Sequence, residues 1–574
     1  MLKLKTNFYK IIKYFKTYPL EVIVYLLALI IFAINSSYIS YPDEFINILG
    51  GSYINKGLLP YVSFFDHHVP FAWYLASLFL LFSFKSFILF RLYWALFSFI
   101  LLFFLALWIK KKNKEIFPYY LGFFFLYPLL SLYFWLHLFL ADSIAVLFFS
   151  VIFWILTTEA LSKEKNLKLL YTSSVLLFLM NFTSLTFIYF SLALYLWSIY
   201  LIGIKKIKKI LVFILWSILP YIIYIIFLLI TGSFKDFYFA NFVYNTELYI
   251  SIPNYTRGQF FNPIKFALTI IYNFIQGYLP LLTKIKYLDL YLPVGVLAAL
   301  STFILLFLTL SKDWFLGLIY FFVLTFSAPR SGLKTFNETD YQSGMFLVLG
   351  LASTMIVLYL LRTIKKEETI QHDLKKVSRF LIWVFLIFTS VFLIGNFYSK
   401  TYLRYTQKMP SIYDSSQTRE LIDFTIDNND YFWVGPYEPN ELFYPDKGKL
   451  PGKYPSLLPQ FRESEYLKKD FINQFEKSIP KIIIYKNQAS IFGTPALIFG
   501  EFFLNWMSDK YTQVEKINNV KVIKNPSFFD LKTDLYILNN DKDSIIEKLK
   551  KTGYLEVIET SQNSEKNNSL KERL

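Results

Sequence analysis

The chain of 574 residues carries a formal net charge of +17 and contains no cysteine, so disulfides and thiolate metal sites are excluded. Its mean hydropathy is +0.43, and 55% of its residues are hydrophobic, a composition typical of polytopic membrane proteins and rare in water-soluble ones. The positive charge does not indicate a nucleic-acid partner, because much of it lies in short loops between apolar runs, where it marks the cytoplasmic side.

Apolar runs in chain order predict about eleven membrane-spanning helices. The basic stretch before the first run predicts a retained first span with its amino terminus in the cytoplasm. A run at 71–84 is too short to cross and is predicted to be interfacial or re-entrant. The predicted spans are about 19–37, 86–109, 116–135, 144–158, a run from about 169, a run ending before 205, 210–230, 291–310, 314–327, 342–361 and 380–397.

The basic clusters at 110–114, 205–209 and 365–379 fix the predicted orientation, because positive loops stay in the cytoplasm. An odd number of spans then places the chain from about residue 398 outside the cytoplasm. Residues 263–282 are assigned to the interface, since a further span there would invert the orientation of the 365–379 cluster. The chain is therefore predicted to be a multi-pass protein of the plasma membrane.

The chain changes character after the last predicted span, and three domains follow. Residues 1–398 form the transmembrane domain, residues 399–558 an extracytoplasmic α/β domain, and residues 559–574 a polar tail predicted to be disordered. In the α/β domain, "DYFWVGP", "PKIIIYKN" and "VKVIKN" are typical of short buried strands, and two amphipathic stretches between them favour helices.

Acidic side chains stand at the predicted outer ends of two spans. Asp43 and Glu44 open a short helix after the first span, and Asp142 stands at the start of the fourth. An ionisable side chain beside strongly apolar neighbours indicates function by default. The alternative is helix capping with surface solvation for Asp43 and Glu44, and an N-cap for Asp142, because a carboxylate suits a helix amino terminus. A capping carboxylate can still be catalytic.

Histidines and arginines accompany the acids on the predicted outer side. His67 and His68 are adjacent, and on a helix or strand they would not share a face, so at most one is expected to join Asp66. His137 lies five residues before Asp142. Carboxylates with imidazole suit Zn²⁺, Mn²⁺ or Mg²⁺, and Asp43 with His137 is the predicted metal pair. The alternative is a hydrogen-bonded interfacial histidine. Arg257 and Arg330, in outer loops, are candidate phosphate ligands, with plain surface charge as their alternative.

The order of these motifs resembles the protein O-mannosyltransferase-like group of GT-C glycosyltransferases. The likeness rests on "PDE" after span one, on "GLLPYVSFFDHHVPFAWYL", and on "LHLFLADSIAVLFF" at the start of span four. The resemblance implies that Asp43 is the general base with Glu44 beside it, and that Asp142 is the second acid, assisting the acceptor or a metal. His68 stands where many relatives carry a lysine that contacts the lipid phosphate.

The resemblance implies a membrane glycosyltransferase that moves a sugar, with inversion, from a polyprenyl-phosphate donor to an extracytoplasmic glycan, lipid or protein acceptor. The implied partners are this lipid-linked donor, the acceptor and membrane lipid. His68, Arg257 and Arg330 would bind the donor phosphate. Two alternatives stay open: a transporter or flippase of lipid-linked glycans, which would need polar groups at mid-membrane, and an O-antigen ligase-like enzyme, which would depend on outer-loop arginines.

Overall fold

The computed structural model describes residues 17–38, 40–249, 262–283, 292–329, 333, 341–363, 369–406, 416, 418–517, 520–522 and 535–557. Arg257, Arg330 and the predicted tail at 559–574 lie outside these residues. The chain divides into two compact units: Met1–Glu44 with His67–Ile412, and Phe45–Asp66 with Tyr413–Leu574.

The described residues up to 406 are mainly helical. Its α-helices are α1 (Pro19–Asn35), α2 (Pro42–Asn55), α3 (Phe71–Ser83), α4 (Phe87–Lys112), α5 (Phe117–Tyr133), α6 (Ala141–Leu161), α7 (Leu167–Asn181), α8 (Ile188–Ile202), α9 (Ile207–Ile230), α10 (Phe234–Tyr238), α11 (Pro263–Thr283), α12 (Leu292–Lys312), α13 (Trp314–Thr325), α14 (Gly344–Thr363) and α15 (Thr369–Thr406). A π-helix, Phe239–Leu248, follows α10.

Every one of the predicted spans is a helix, which confirms a polytopic membrane protein. Among the described residues, seven helices are long and apolar enough to cross a membrane, namely α4, α6, α8 with the turn before it, α9, α12, α14 and α15. The other four predicted spans are the shorter apolar helices α1, α5, α7 and α13, and the run predicted to be too short is α3. Helix α11 is not among the seven, so its interfacial placement stays a prediction, as does the orientation of the termini.

Polar side chains define where several of these helices start. Ser86 accepts a hydrogen bond from the Leu89 N–H at the start of α4, and Asp313 accepts one from the Leu316 N–H at the start of α13. These are ordinary amino-terminal caps, which satisfy backbone donors that have no partner within the helix. Three lysines, Lys110–Lys112, lie in the last turn of α4, where positive charge complements the helix dipole.

Helices α6 and α14 lie at the centre of the first unit, whereas α9 lies at its edge. Within the most apolar window of each helix, 89% of α6 and 94% of α14 is buried, against 11% of α9. Helix α14 packs closely on α12, and the Thr354 hydroxyl donates to Ser301 at 2.8 Å across that contact. Small residues and interhelical hydrogen bonds are the usual means of close helix packing in lipid.

The second unit contains the α/β domain that the sequence predicts. Its main sheet has the strand order β1 (Phe432–Gly435), β2 (Ile482–Tyr485), β7 (Leu535–Leu538) and β5 (Tyr511–Gln513). Strands β1 and β2 are parallel, and the other pairs are antiparallel. The buried Trp433 ring of β1 packs against the rings of Phe471, Phe475 and Phe503, with distances between ring centres of 5.9, 5.6 and 5.4 Å. The three predicted strands are confirmed as β1, β2 and β6.

The elements of this unit alternate along the chain. They are α16 (Arg419–Thr425), β1 (Phe432–Gly435), α17 (Pro439–Phe443), α18 (Glu465–Lys477), β2 (Ile482–Tyr485), β3 (Ser490–Ile491), β4 (Thr494–Pro495), α19 (Ala496–Phe499), α20 (Glu501–Ser508), β5 (Tyr511–Gln513), β6 (Val520–Val522), β7 (Leu535–Leu538), α21 (Lys542–Lys551) and β8 (Leu555–Val557). Strands β3 and β4 form a hairpin, and β6 pairs with β8.

Candidate active site at the start of helix α2

A fully buried ion pair joins the start of helix α2 to helix α4. The side chains of Glu44 and Arg91 are both 0% exposed. Arg91 Nε donates to Glu44 Oε1 at 3.1 Å, and a second guanidinium nitrogen donates to Glu44 Oε2. The third nitrogen donates to the Tyr38 carbonyl oxygen. Each of the three guanidinium nitrogens thus helps to fasten the segment that leads into α2.

The carboxylate of Glu44 accepts two further hydrogen bonds from the backbone. The Phe139 N–H donates to Oε1 at 2.7 Å, and the Tyr41 N–H donates to Oε2 at 3.2 Å. A buried charge is tolerated only when it is paired and its remaining lone pairs are satisfied. Glu44 meets this condition and lies away from solvent. We therefore interpret it as a structural anchor that holds the start of α2 in position.

Arg91 is a residue that the sequence analysis misses. It lies inside an apolar 26-residue helix and also stacks over the Phe87 ring at 4.6 Å. A charged residue within a membrane span is rare and needs a partner. The lone arginine in "FILFRLYWALF" was therefore a usable signal, although its partner, 47 residues away, was not evident from the sequence.

Asp43 directly precedes this anchor and has a different environment. Asp43 is half-buried in the first turn of α2, whereas Glu44 is fully buried. Burial raises the pKa of the neighbouring Tyr41 phenol, and the charges of Asp43 and Tyr249 raise it further. Asp43 is therefore a carboxylate with partial access to solvent, held in place by its buried neighbour.

Asp142 belongs to the chain segment that is hydrogen-bonded to Glu44. It lies in the first turn of α6 and is 3% exposed, three residues after the Phe139 N–H that binds Glu44. Asp142 is not the N-cap residue of α6, because that position is Leu140. The hydrogen bond between Phe139 and Glu44 ties the 43–44 and 139–142 segments together.

His137 lines a small cavity among helices α1, α4 and α5. The cavity has a volume of about 10 Å³, room for roughly one water molecule, and Asn35 and Arg91 also line it. His137 Nδ1 lies 3.4 Å from the Ser131 carbonyl oxygen, and its buried Nε2 has no hydrogen-bond partner among the described residues. Burial lowers the pKa of His137 well below its usual value, and the charge of Arg91 lowers it further.

These surroundings do not fit a metal ion held by Asp43 and His137. The cavity that His137 faces is lined by the Arg91 guanidinium, which repels a divalent cation, and Asp43 is not among its lining residues. Among the described residues, the consecutive triplet Asp66, His67 and His68 offers ligand atoms within 4.8 Å of one another. No step below depends on a metal ion.

The two adjacent histidines lie in a bend rather than in a helix or strand, and their rings are 4.0 Å apart. The expectation that they point to opposite faces is therefore wrong, because it assumed regular secondary structure. The carbonyl oxygen of His67 accepts a hydrogen bond from Asn245 Nδ2 at 2.9 Å. His68 is half-buried, so it retains access for a ligand.

Two cations lie near the end of α15, one beside the last turn of α5 and the other beside the segment that precedes Asp43. Lys400 Nζ is 5.9 Å from the centre of the Tyr133 ring, and the Arg404 guanidinium is 5.8 Å from the centre of the Tyr38 ring. The Tyr38 hydroxyl is also hydrogen-bonded to Thr401. Sequence reasoning misses these residues, although two cations four residues apart at the end of the last apolar run were a visible signal.

Comparisons with known proteins add little to this geometry. No family model matches the chain, and no curated protein matches it. Among solved structures, the chain is similar to the archaeal oligosaccharyltransferase AglB from Archaeoglobus fulgidus, solved in complex with an inhibitory peptide and a dolichol-phosphate. The identity is 13%, the match covers 83% of this chain and 70% of that chain, and the TM-score is 0.36. A likeness at this level carries no argument about the function.

Proposed function

We propose that the chain is a membrane glycosyltransferase that moves a sugar from a polyprenyl-phosphate donor to an acceptor outside the cytoplasm. The observation that supports this best is the half-buried Asp43, held by the buried Glu44–Arg91 pair next to the segment that carries Asp142. Such an arrangement offers one reachable carboxylate on a rigid support, which is what a general base requires.

Asp43 acts as the general base in the proposed reaction. It takes the proton of the acceptor hydroxyl while that oxygen forms a bond to the anomeric carbon of the sugar. The bond between the anomeric carbon and the phosphate oxygen breaks on the opposite face, so the configuration inverts. The lipid phosphate departs as an anion with the bonding electron pair, and no acid has to protonate it, unlike the leaving group of a glycosidase.

The other polar residues support this step in different ways. Glu44 is a positioning residue, since its carboxylate is fully used by Arg91 and two backbone N–H groups. Asp142 assists the acceptor. Positive charge stabilises the departing phosphate, and His68, Arg257 and Arg330 are the proposed ligands. Lys400 and Arg404 join them as candidates.

The proposed setting follows from the charge pattern of the chain. The amino terminus lies in the cytoplasm and the α/β domain outside it, in the plasma membrane. The lipid tail of the donor remains in the bilayer while its headgroup reaches the outer surface. The acceptor is a glycan, lipid or protein. A divalent metal ion, Mg²⁺, Mn²⁺ or Zn²⁺, remains a separate proposal that a chelator would test.

The experiment is a transfer assay in membranes with a panel of radiolabelled polyprenyl-phosphate hexoses and pentoses. Asp43→Asn is expected to lower the rate by about 10²-fold to 10⁴-fold, the usual contribution of a general base. Asp236→Asn is the matched control, because Asp236 is also half-buried and lies in α10. Wild-type turnover in Asp43→Asn, with protein present at normal levels, would refute the assignment.

A further inference from the structure

Aromatic side chains from distant parts of the chain converge on Tyr41, two residues before Asp43. The Tyr41 ring lies 5.7 Å from the Trp135 ring and 6.1 Å from the Tyr341 ring. Tyr249 is close enough to Tyr41 for its charge to affect the Tyr41 phenol, as the charge of Asp43 does. Asp43 and three aromatic residues are therefore all neighbours of the Tyr41 side chain.

The aromatic neighbourhood continues from Tyr249 to His67. The His67 ring lies 4.1 Å from the Tyr249 ring and 5.7 Å from the Tyr244 ring. The Tyr244 and Tyr249 rings are stacked at 5.9 Å. Asn245 holds the His67 backbone through its side-chain amide. His67 is thus fixed against the segment that ends at Tyr249.

The backbone is irregular at two places next to these rings, at Trp135 and in the segment before Tyr249. Trp135 has a φ of 59°, the left-handed region that bulky residues rarely adopt. The segment before Tyr249 is a π-helix, Phe239–Leu248, a form that is rare and found frequently at functional sites. Backbone strain of this kind persists where the surrounding structure imposes it, and it clusters at ligand sites.

The aromatic residues around Tyr41 and His67 differ in type and in exposure from those of the ordinary core. The chain has 64 Phe residues, yet the rings that meet here belong to Tyr, Trp and His, which carry a polar edge. Tyr41, Trp135, Tyr249, Tyr341 and His67 are all half-buried. By contrast, Trp154 and Tyr120 in the core of the same unit are 0% exposed. Each of these five residues therefore keeps part of its surface accessible.

We propose that Tyr41, Trp135, Tyr249, Tyr341 and His67, which we call the aromatic cluster, bind the pyranose ring of a sugar substrate beside Asp43. A pyranose has a face of C–H groups that packs on an aromatic ring, and hydroxyl groups at its edge that bond to phenol, imidazole and carboxylate. Binding sites of this type combine aromatic walls with a few polar groups. The proposal rests on the glycosyltransferase assignment and names the part of the site that holds the sugar.

The charge of Asp43 narrows the class of sugar. A uronic acid would place a second carboxylate near that of Asp43, and like charges at short distance repel each other. The proposed ligand is therefore a neutral hexose or an N-acetylated hexosamine. This selectivity can be measured on the unmodified protein, so it does not depend on a variant that folds.

The experiment measures binding to the full chain in lipid nanodiscs by calorimetry, without turnover. The probes are glucosyl, mannosyl, N-acetylglucosaminyl and glucuronyl polyprenyl phosphates, sugar-free polyprenyl phosphate, and the free methyl glycosides. Tyr341→Leu and Trp135→Leu are expected to lose about tenfold in affinity for the best neutral sugar, while Tyr341→Phe stays within about threefold. Affinity for the sugar-free lipid should not change. Trp216→Leu is the control, because Trp216 is 48% exposed on α9.

The pattern of losses identifies the source of the sugar. A loss confined to the lipid-linked sugars places the donor sugar on the cluster, and a loss confined to free glycosides places the acceptor sugar there. Glucuronyl lipid should bind the wild type at least tenfold more weakly than its neutral counterpart. The proposal is overturned if no sugar binds, if both Leu variants bind sugars as the wild type does, or if the uronic acid binds equally well.

These outcomes are separate from those of the transfer assay. If Asp43→Asn retains turnover while the Leu variants lose sugar binding, the assignment of the base fails and the aromatic cluster stands. If Asp43→Asn loses turnover while the Leu variants bind sugars normally, the base stands and the cluster is refuted.

Discussion

The carboxylate of Glu44 and the guanidinium of Arg91 meet in a fully buried, doubly hydrogen-bonded pair. The pair lies one residue from Asp43, so any shift in Glu44 is transmitted to Asp43 through a single peptide bond. The proposed base is therefore held by a residue that does not react. The sequence motif "PDE" does not distinguish its two acids. In the fold, Glu44 is the positioning residue and Asp43 is the proposed base.

Breaking the pair is expected to destabilise the protein strongly. Glu44→Gln or Arg91→Met should each lower the stability by about 3–5 kcal/mol, because the remaining partner becomes an uncompensated buried charge. The double variant should lose less than the sum of the two single losses. Thermal unfolding in detergent measures all three. The control is the partly exposed pair of Lys110 and Glu21, 2.7 Å apart, whose loss should matter far less.

A different result would change the role of Glu44. If Glu44→Gln unfolds at the wild-type temperature but has lost transfer activity, Glu44 reacts or binds substrate and is not an anchor. If both stability and activity are unchanged, the buried pair has no part in holding Asp43.

Asp142→Asn is expected to separate function from folding. Asp142 lies buried in the first turn of α6, where loss of its charge removes a dipole interaction of up to about 2 kcal/mol. The loss of stability should therefore be smaller than in the Glu44 and Arg91 variants, while transfer falls by at least tenfold if Asp142 assists the acceptor. Initial rates at varied acceptor concentration should show whether KM or kcat carries the loss. Unchanged kinetics would leave Asp142 with a helix-start role alone.

Most of the apolar helices could be predicted because the sequence of each apolar run determines its helix locally. In a membrane, an apolar segment satisfies its backbone hydrogen bonds by forming a helix within itself, and its apolar side chains favour lipid. Helices such as α4 and α9 can therefore be predicted from hydropathy. The strands β1, β2 and β6 were predictable for a similar reason, since each is a short β-branched or aromatic run between breakers.

The partners within the site were not predictable, because they depend on tertiary contacts. Nothing local indicates that Arg91 pairs with Glu44, or that the Phe139 N–H points at the same carboxylate. The bend at His67 and His68 also defeats arguments from helix or strand periodicity. The acids could be found from their position at the ends of spans, but their different burial appears only in the fold.

Gly350 is expected to be essential for the packing of α14 on α12. A Cβ atom at this position would lie 2.2 Å from the Cβ of Ala298, closer than any real contact. Gly350→Ala should lower the unfolding free energy by about 1–3 kcal/mol through overpacking. Gly395→Ala is the matched control in α15, where a Cβ meets nothing within 4 Å. There the change should stabilise the helix slightly. Equal effects in thermal unfolding would refute close packing.

His137 is expected to make the protein less stable as the pH falls. Burial lowers the pKa of the folded His137, as do the charges of Arg91 and Lys400, against an opposing hydrogen bond to Ser131. Below a pH of about 6.5 the unfolded chain takes up a proton at this residue that the folded chain does not. The unfolded state then binds more protons, so the unfolding free energy decreases by at most about 1.4 kcal/mol per pH unit until the folded pKa is reached.

The His137→Gln variant tests this linkage, since glutamine keeps a donor and an acceptor but does not titrate in this range. Thermal unfolding of the variant and the wild type should be compared between pH 7.5 and 5.5 in the same detergent. The wild type is expected to lose more stability over this interval than the variant, because only the wild type takes up a proton at residue 137 on unfolding. The difference between the two curves therefore measures the protonation of His137 alone. Parallel curves would mean that folded His137 accepts the proton as readily as the unfolded chain. That result would place water or an anion beside Nε2, since a protonated ring next to Arg91 needs compensation.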